Sequence, residues 1–280
     1  MVTTAPETFG ELVSSAQAAT KGEIIGASLE RGFYFSGGHL LGLGGQLMAP
    51  DGAPAFNNEK GIEWLELLKA FDTAGPAEFL SDKDVELFKQ GRVGFIIDGT
   101  WNMQSLAEAL GQENLAIDPW PTFRDGRLAG FVQANNLYIN SRLPDDERLA
   151  AAAFLEYFLS PEAQSLFADS GMIPAASAAR ATDPGWAALV SPAAAALAGG
   201  VAYPTLPQIE AYVAPMDVAL QTFFTSDIAP VEVLNMAYLG IQSALASLQG
   251  TPTPAPLVES GYLYCFNVTV GTSVRIGGIG

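Results

Sequence analysis

The sequence predicts an α/β fold in which helices cover both faces of a sheet. The central observation is the apolar run from Val93 to Ile97, which is rich in β-branched and aromatic residues, as expected for a strand buried on both faces. A helix follows directly, because Trp101 to Leu110 carries apolar residues at helical spacing and Gly111 ends the pattern. Thr100 is the expected cap of that helix. Strand followed by helix is the repeating unit of the α/β class.

The remaining elements follow from periodicity and from capping and turn residues. Predicted in chain order are a helix after Thr8, a strand at 24–29, helices at 37–43, after Asn57 or Asn58 and at 82–90, strands at 114–120 and 130–140, and helices at 145–159, from 161, at 185–198, 209–224 and 230–248. Residues 251–256 are predicted to be a Pro-rich linker. The alternation in 262–276 is weak, so a loose two-stranded ribbon and disorder are both open there.

The composition disfavours several partners and sites. Thirteen Lys plus Arg against thirty Asp plus Glu give a net charge of −17, which repels nucleic acid and anionic lipid. Cys265 is the only cysteine and His39 the only histidine, so we expect no metal site, and we expect no cofactor. No apolar stretch of about eighteen residues predicts a membrane span. The first residues have neither the basic nor the apolar region of a secretory signal.

Two aromatic positions are candidates for a binding surface. Trp101 lies at the carboxyl end of the predicted strand, where open α/β sheets bind ligands, although an indole at this point could also be core. Tyr34 belongs to a run of three aromatics, Phe33 to Phe35, just beyond another strand. That run is either a core plug or a wall that faces a sugar.

Three amides crowd one predicted strand. Gln133, Asn135 and Asn136 lie in the middle of the segment 130–140, where neutral polar side chains are unusual. They either satisfy backbone groups at a β-bulge or face a polyhydroxylated ligand. Their neutral donors and acceptors suit hydroxyl groups.

Seven short motifs together resemble one family. They occur in the same order and at similar spacing as in extracellular solute-binding proteins of sugar ABC transporters, of the maltose-binding type, and the resemblance covers residues 6–250. The motifs are PETFGEL at 6–12, LFKQGRVGF at 87–95, DGTW at 98–101, PTF at 121–123, YFLSPEAQ at 157–164, GMIP at 171–174 and PTLPQ at 204–208.

The resemblance implies a fold and a site. The fold would be periplasmic-binding-protein-like type II, with two α/β lobes that close on a carbohydrate and pass it to the permease subunits of an ABC transporter. Tyr34 and Trp101 match aromatic positions that stack on sugar rings in this family. At a further stacking position after the Pro-Gln motif this chain has Val213, so Tyr212 beside it is the expected substitute. Gln133, Asn135 and Asn136 fall on the strand that returns to the other lobe, which favours their contact with ligand.

The resemblance also implies that one lobe is incomplete. Family members have about a hundred residues and a signal peptide before the point that corresponds to the start of this sequence. The expected division is a complete C-terminal lobe at 6–127 and 183–250, a remnant of the N-terminal lobe at 128–182, and an unassigned tail at 251–280. Apolar faces of the remnant would lack their cover, so self-association is expected. The family implies a periplasmic or extracellular location.

Two other functions are open. A glycoside hydrolase would also use aromatics and paired carboxylates near a sugar, but no acid in this chain lies in a distinctive motif and His39 has no recognisable nucleophile partner. A truncated fragment without activity is the other alternative. We expect a binding protein and no enzyme.

Overall fold

A computed structural model describes residues 4–76 and 82–249 and the backbone of 263–276. Its main feature is a seven-stranded sheet with helices on both faces, as predicted. The strands of this sheet are β1 (Ile25–Ser28), β2 (Val93–Gly99), β3 (Leu115–Asp118), β6 (Phe131–Tyr138), β7 (Ile173–Pro174), β8 (Val201–Ala202) and β9 (Leu263–Ile276). A separate small hairpin joins β4 (Thr122–Phe123) to β5 (Gly126–Arg127).

Ten α-helices surround the sheet within the described residues. They are α1 (Phe9–Ala19), α2 (Phe33–Gly42), α3 (Glu59–Ala70), α4 (Lys83–Lys89), α5 (Met103–Leu110), α6 (Asp145–Phe158), α7 (Pro161–Ala168), α8 (Pro184–Ala196), α9 (Glu210–Thr225) and α10 (Pro230–Gln249). The predicted capping signals are present: Thr8 and Glu11 form a capping box at α1, and Asn58 accepts backbone N–H bonds at the start of α3.

Strand β9 occupies the middle of the sheet. It runs antiparallel to β2 and β3, which lie on its two sides, and its first half runs antiparallel to β6 and β7. The two alternatives considered for this segment, a two-stranded ribbon and disorder, are both wrong, because residues 263–276 form a single fourteen-residue strand. The Pro-rich linker predicted at 251–256 lies outside the described residues.

Strand β2 separates two apolar cores. Phe95 and Ile97 face a core that includes side chains of α1, α3, α9 and α10, whereas Val93 and Ile96 face a second core with α4, α5 and α8. Phe95 and Ile97 are therefore buried on one face of β2 and Ile96 on the other, as the continuous apolar run predicted.

The length and composition of α10 contradict the expectation that no segment could cross a membrane. Among the described residues, Pro230–Leu248 is long and apolar enough to do so by length and composition. In the fold, Val233, Leu234, Ala237 and Ile241 of this helix are buried in the first core. One face of α10 therefore packs as an ordinary core helix.

Two predicted helix starts are wrong. Helix α2 begins at Phe33 and not at Gly37, because the Asp217 carboxylate accepts the Phe33 backbone N–H at 2.8 Å at the first turn. Thr100 is not the cap of α5, since a 3₁₀ turn from Thr100 to Asn102 precedes that helix without a side-chain cap. The first shift places Tyr34 in the first turn of α2, and the second places Trp101 in the 3₁₀ turn that precedes α5.

Candidate functional site

The candidate site is a cluster of half-exposed aromatic rings where β2 ends. Tyr34 lies at its centre, with ring centroids 6.0 Å from Trp101 and 6.0 Å from Tyr203. Phe35 lies 6.0 Å from Trp101 on the other side. Trp101 is 45% exposed although its indole is large and mostly apolar. An exposed indole within an aromatic cluster is typical of a surface that binds a ligand.

The run of three aromatics divides between core and cleft. Phe33 is fully buried and packs edge-on against Phe131. Tyr34 and Phe35 are only partly buried and belong to the cluster with Trp101. The core interpretation is therefore confirmed for Phe33, and the sugar-facing interpretation stays a prediction for Tyr34 and Phe35, because successive helical positions face different environments.

The Trp101 indole is positioned by Gly99. A Cβ on Gly99 would lie 2.1 Å from Cζ3 and Cη2 of the indole, so only glycine lets the ring lie against the backbone here. Asp98 fixes the same turn, because its carboxylate accepts the Gly99 N–H at 2.7 Å and both of its oxygens accept from Asn102 Nδ2, at 3.0 and 3.2 Å. Asp98 thus has the structural role that a buried residue at this bend suggests.

A hydrogen bond connects the aromatic cluster to the amide strand. The Tyr34 hydroxyl donates to Gln133 Oε1 at 2.8 Å. Both side chains are partly buried, so the remaining polar atoms of this pair lie next to the rings. Gln133 therefore lies beside the aromatic cluster, and its contact with a ligand stays a prediction.

Asn135 and Asn136 do not join the contacts at Tyr34. Both are exposed, and the pairing of β6 with β9 shifts register between them, which is a β-bulge. Asn136 Nδ2 donates to the backbone carbonyl of Ala134 at 3.2 Å. The bulge interpretation of these amides is confirmed for Asn136, and contact with a ligand stays a prediction for both.

Tyr212 is not part of the cleft. Its ring is fully buried in the first core, and its hydroxyl donates to the Gly52 carbonyl at 2.8 Å. Gly52 has φ +86° and a Cβ there would lie 2.8 Å from Gln208, so this loop is fixed tightly against α9. The expectation that Tyr212 replaces a stacking residue is wrong, because Tyr212 lies on the face of α9 that packs in the first core.

Tyr203 is the cleft residue that the sequence analysis missed. It follows the short strand β8 and its ring contacts Phe131 at 5.1 Å as well as Tyr34. The available signal was an aromatic residue at a strand end, before Pro204, which resembles the context of Trp101. Strand β8 has only two residues, which is too short for an alternating pattern to predict a strand here.

The titratable groups at the cleft favour a neutral surface. Burial raises the pKa of Tyr34 above its ordinary value, and burial together with Glu210 and Tyr34 raises the pKa of Tyr203. Both hydroxyls therefore stay protonated at neutral pH and can donate to an oxygen. Burial also raises the pKa of Asp98 to about 6, with the Gly99 and Asn102 hydrogen bonds opposing the shift.

His39 has a structural environment. It is fully buried, its imidazole ring contacts Phe71 and Trp120, and its Nδ1 lies 2.7 Å from the Ala129 carbonyl. Burial lowers the pKa of His39 to about 4. Among the described residues, no group of three or more His, Cys, Asp and Glu side chains could hold a metal ion.

A separate cavity lies away from the aromatic cluster. It has a volume of about 660 Å³ and is formed by the loop 173–181 and by α8. Its lining is mostly alanine, with Arg180 and Ser177 as polar groups. None of the residues predicted for the site lines this cavity.

The fold and the cluster together define a class of protein. Aromatic rings and an amide grouped at the carboxyl end of a strand in an open α/β sheet are typical of a site for a small polar ligand. The family model for bacterial extracellular solute-binding proteins matches residues 1–199, so the chain belongs to that family.

Relatives with known names agree with this assignment. A galactooligosaccharide-binding protein of Bacillus subtilis (strain 168) is 27% identical over 253 residues, which covers 83% of this chain and 58% of the relative. The chain thus spans less than two thirds of that relative's length.

Solved structures of sugar-binding proteins share the fold. The maltose/maltodextrin-binding domain MalE from Bdellovibrio bacteriovorus, bound to maltotriose, has a TM-score of 0.68 at 19% identity and matches 88% of this chain over 68% of its own. The Thermus thermophilus maltotriose-binding protein, bound with maltotriose, has a TM-score of 0.69 at 18% identity, with 86% and 67% covered. The fold is thus the predicted periplasmic-binding-protein type II, over about two thirds of the length of these chains.

Proposed function

We propose that this chain is the substrate-binding component of a carbohydrate ABC importer and that it binds a sugar or oligosaccharide at the aromatic cluster. The observation that carries the proposal is the indole of Trp101, which is 45% exposed beside Tyr34 and is held against Gly99. The C–H face of a pyranose can lie on such a ring, which binds it through apolar contact and the π surface.

Polar contacts would come from neutral groups around the rings. Gln133 and the Tyr34 hydroxyl form a hydrogen bond, and both are neutral groups of the kind that contacts sugar hydroxyls. Tyr203 extends the aromatic surface on the other side of Tyr34. Asn135 and Asn136 are exposed on the same strand and are the proposed second group of amides. Neutral donors and acceptors suit sugar hydroxyls better than they suit a charged ligand.

We propose that transport, and not turnover, is the purpose of binding. The named relatives are sugar-binding proteins, which supports a partner role with ABC permease subunits and a periplasmic or extracellular location. The Asp98 carboxylate at the base of the cluster already accepts hydrogen bonds from Gly99 and Asn102. We therefore expect no hydrolysis of the bound sugar.

The chain's two-lobed division is part of this proposal. Residues 6–127 and 183–250 would form one lobe, with 128–182 as part of the other. Helices α1, α3, α9 and α10 pack in one core. This shared core supports the proposal that the chain returns after residue 183 to the C-terminal lobe, which it began at residue 6. Helices α6 and α7, in 128–182, carry exposed apolar side chains, and we propose that these mediate self-association.

The experiment is a titration with maltotriose and with a galactooligosaccharide, by calorimetry and by tryptophan fluorescence. We expect saturable binding and, by chromatography of the incubated sugar, no turnover. Trp101→Ala should weaken binding by about 1 kcal/mol or more, which is fivefold or more in Kd, without unfolding the protein. Trp186→Ala is the matched control, because Trp186 packs by Gly171 outside the cluster.

Each result has a distinct meaning. Turnover of the oligosaccharide would support a hydrolase and contradict the proposal. Neither binding nor turnover in a folded protein would support an inactive fragment. Equal losses in the Trp101 and Trp186 variants would show that stacking at the cluster is not the cause.

A further inference from the structure

The turn that leads into Tyr34 has no local helix cap. Gly32 precedes α2 and has no side chain, so it makes none of the capping hydrogen bonds that Thr8 and Asn58 make at α1 and α3. The first backbone N–H groups of a helix have no partner within the helix. Because Phe33 is fully buried, its N–H requires a partner from another part of the chain.

Carboxylates supply the partners of this turn. One oxygen of Glu30 accepts from the backbone N–H of Arg31 at 2.8 Å and from that of Gly32 at 2.5 Å. The carboxylate of Asp217 accepts from the N–H of Phe33 at 2.8 Å, across 184 positions of sequence. Glu30 thus bonds the turn from within, whereas Asp217 joins it to another helix, α9.

Helix α9 contacts the same turn a second time. The guanidinium carbon of Arg31 lies 4.2 Å from the centroid of the Phe224 ring, and the guanidinium also forms an ion pair with Asp72. Phe224 and Asp217 are seven positions apart in α9, which is two helical turns, so they lie on the same face. One face of α9 therefore holds the turn 31–33 at two points.

Tyr34 follows Phe33 directly, so the direction of its ring depends on where α2 starts. The Tyr34 ring lies 6.0 Å from those of Trp101 and Tyr203, and its hydroxyl donates to Gln133. These three partners belong to three different segments of the chain. A shift of the helix start by one residue would turn the side chain by about 100° and would break all three contacts.

We propose that Asp217 is a positioning residue for the candidate site. Its bond to the Phe33 N–H fixes the start of α2 and thereby places Tyr34 in the aromatic cluster. Asp217 needs no contact with a sugar for this role. The part of the proposal that concerns sugar affinity rests on the proposed function.

The first test needs no sugar and uses the full chain. Asp217→Ala removes the acceptor at Phe33, so the Tyr34–Gln133 hydrogen bond should be lost with it. Tyr34→Phe should then lower the free energy of unfolding by less than about half of what it does in the wild-type background, which a double-mutant cycle by urea unfolding measures. Equal effects of Tyr34→Phe in the two backgrounds would overturn the proposal.

The second test measures the Kd for maltotriose. We expect Asp217→Ala to raise it about fivefold in the wild-type background but less than about twofold in the Tyr34→Ala background, where no ring is left to position. Asp217→Asn keeps an oxygen that can accept the Phe33 N–H, so its Kd should stay within about twofold of wild type. The same rise in Kd with and without the Tyr34 ring would contradict the positioning role.

Asp183→Ala is the matched control. Asp183 accepts the Trp186 backbone N–H at 2.9 Å at the start of α8, so the same substitution removes the same kind of bond at a helix that carries no residue of the cluster. It should lower the free energy of unfolding and leave the Kd unchanged. An equal rise in Kd for Asp183→Ala would show that a general loss of stability, and not the position of Tyr34, controls binding.

The readouts separate this inference from the proposed function. A non-additive effect of Tyr34→Phe in a chain that binds no maltotriose supports the positioning role and contradicts the proposed function. Additive effects in a chain that binds maltotriose overturn the positioning role and leave the proposed function standing. If Asp217→Ala does not fold, the same cycle is measured with Asp217→Ser, whose shorter side chain keeps a polar group but moves its oxygen away from the Phe33 N–H.

Discussion

The hydroxyl of Tyr34 donates a 2.8 Å hydrogen bond to the side-chain oxygen of Gln133, across ninety-nine positions of sequence. It joins the first turn of α2 to the middle of β6. The aromatic surface and the amide surface of the candidate site are therefore one connected unit.

Removing that hydroxyl should weaken both stability and binding. Tyr34→Phe keeps the ring but leaves the partly buried Gln133 oxygen without its donor, which should lower the free energy of unfolding by about 1 kcal/mol. Urea unfolding and maltotriose titration measure the two effects. Tyr157→Phe, at a tyrosine that is 58% exposed, should change neither. Equal stability of the Tyr34 variant and the wild type would contradict the prediction.

Adding one methyl group at Gly99 should move Trp101. The new Cβ would lie 2.1 Å from the indole, and the backbone at φ −90° accepts alanine, so the ring and not the chain must shift. We expect altered quenching of Trp101 and maltotriose binding weaker by about 1 kcal/mol or more. Gly10→Ala is the control, since its Cβ would have only an ordinary contact at 3.9 Å. Wild-type quenching and affinity in Gly99→Ala would mean that the glycine does not position the indole.

The α/β class, β2 and the candidate residues Tyr34, Trp101 and Gln133 could be found in the sequence, because each has a local signal. The run Val93 to Ile97 is apolar at every position except Gly94, and Trp101 follows it within one turn. Such local patterns survive in the fold because burial on both faces of a sheet requires them.

The contacts of Tyr203 and Tyr212 could not be found in this way. Both tyrosines are next to recognisable motifs, yet one lies in the cleft and the other in the core. The difference depends on packing between distant segments, such as Tyr212 with Gly52, which no local pattern encodes. The same applies to β9, whose strand character depends on four partner strands and not on its own weak alternation.

The stability of the protein should depend on pH through Asp98. Its pKa is about 6 in the folded protein against 3.8 as an ordinary value, so the stability contributed by the protonated form is lost as pH rises from about 4 through 6. The loss is about 3 kcal/mol in total. Asp98→Asn lacks this loss, so its stability relative to wild type should increase with pH over that window, as measured by urea unfolding.

Two further groups make this test specific. His39 gives a pH dependence of stability with the opposite sign. Its pKa of about 4 in the folded protein lies below 6.5, so the stability that it contributes is lost as pH falls through that range. The difference between Asp98→Asn and wild type cancels the His39 contribution, which both proteins share. Asn102→Ala keeps the titrating carboxyl but removes a hydrogen bond that lowers its pKa, so its stability should still fall as pH rises, over a window that extends to higher pH than in wild type. A pH-independent difference for Asp98→Asn would show that the carboxyl does not titrate in this range.

The last prediction concerns the exposed apolar surface of α6 and α7. The apolar faces of the remnant are in part covered, because Phe131 and Leu155 are buried and β6 is paired with β9. The surface that is exposed consists instead of Leu149, Phe154, Tyr157 and Leu166, each more than half exposed. Apolar side chains grouped in this way on neighbouring helices favour contact with a second copy of the chain.

Sedimentation velocity over a range of concentrations should therefore detect reversible self-association. The double variant Leu149→Glu and Phe154→Glu should shift the protein towards monomer, because each carboxylate would have to lose its water in the contact. Val218→Glu is the control, since Val218 is 58% exposed on α9, away from this surface. The surface on α6 and α7 is not the contact if the control dissociates the protein equally. A wild-type chain that stays monomeric at the highest concentration would show that these side chains are covered by something other than a second copy.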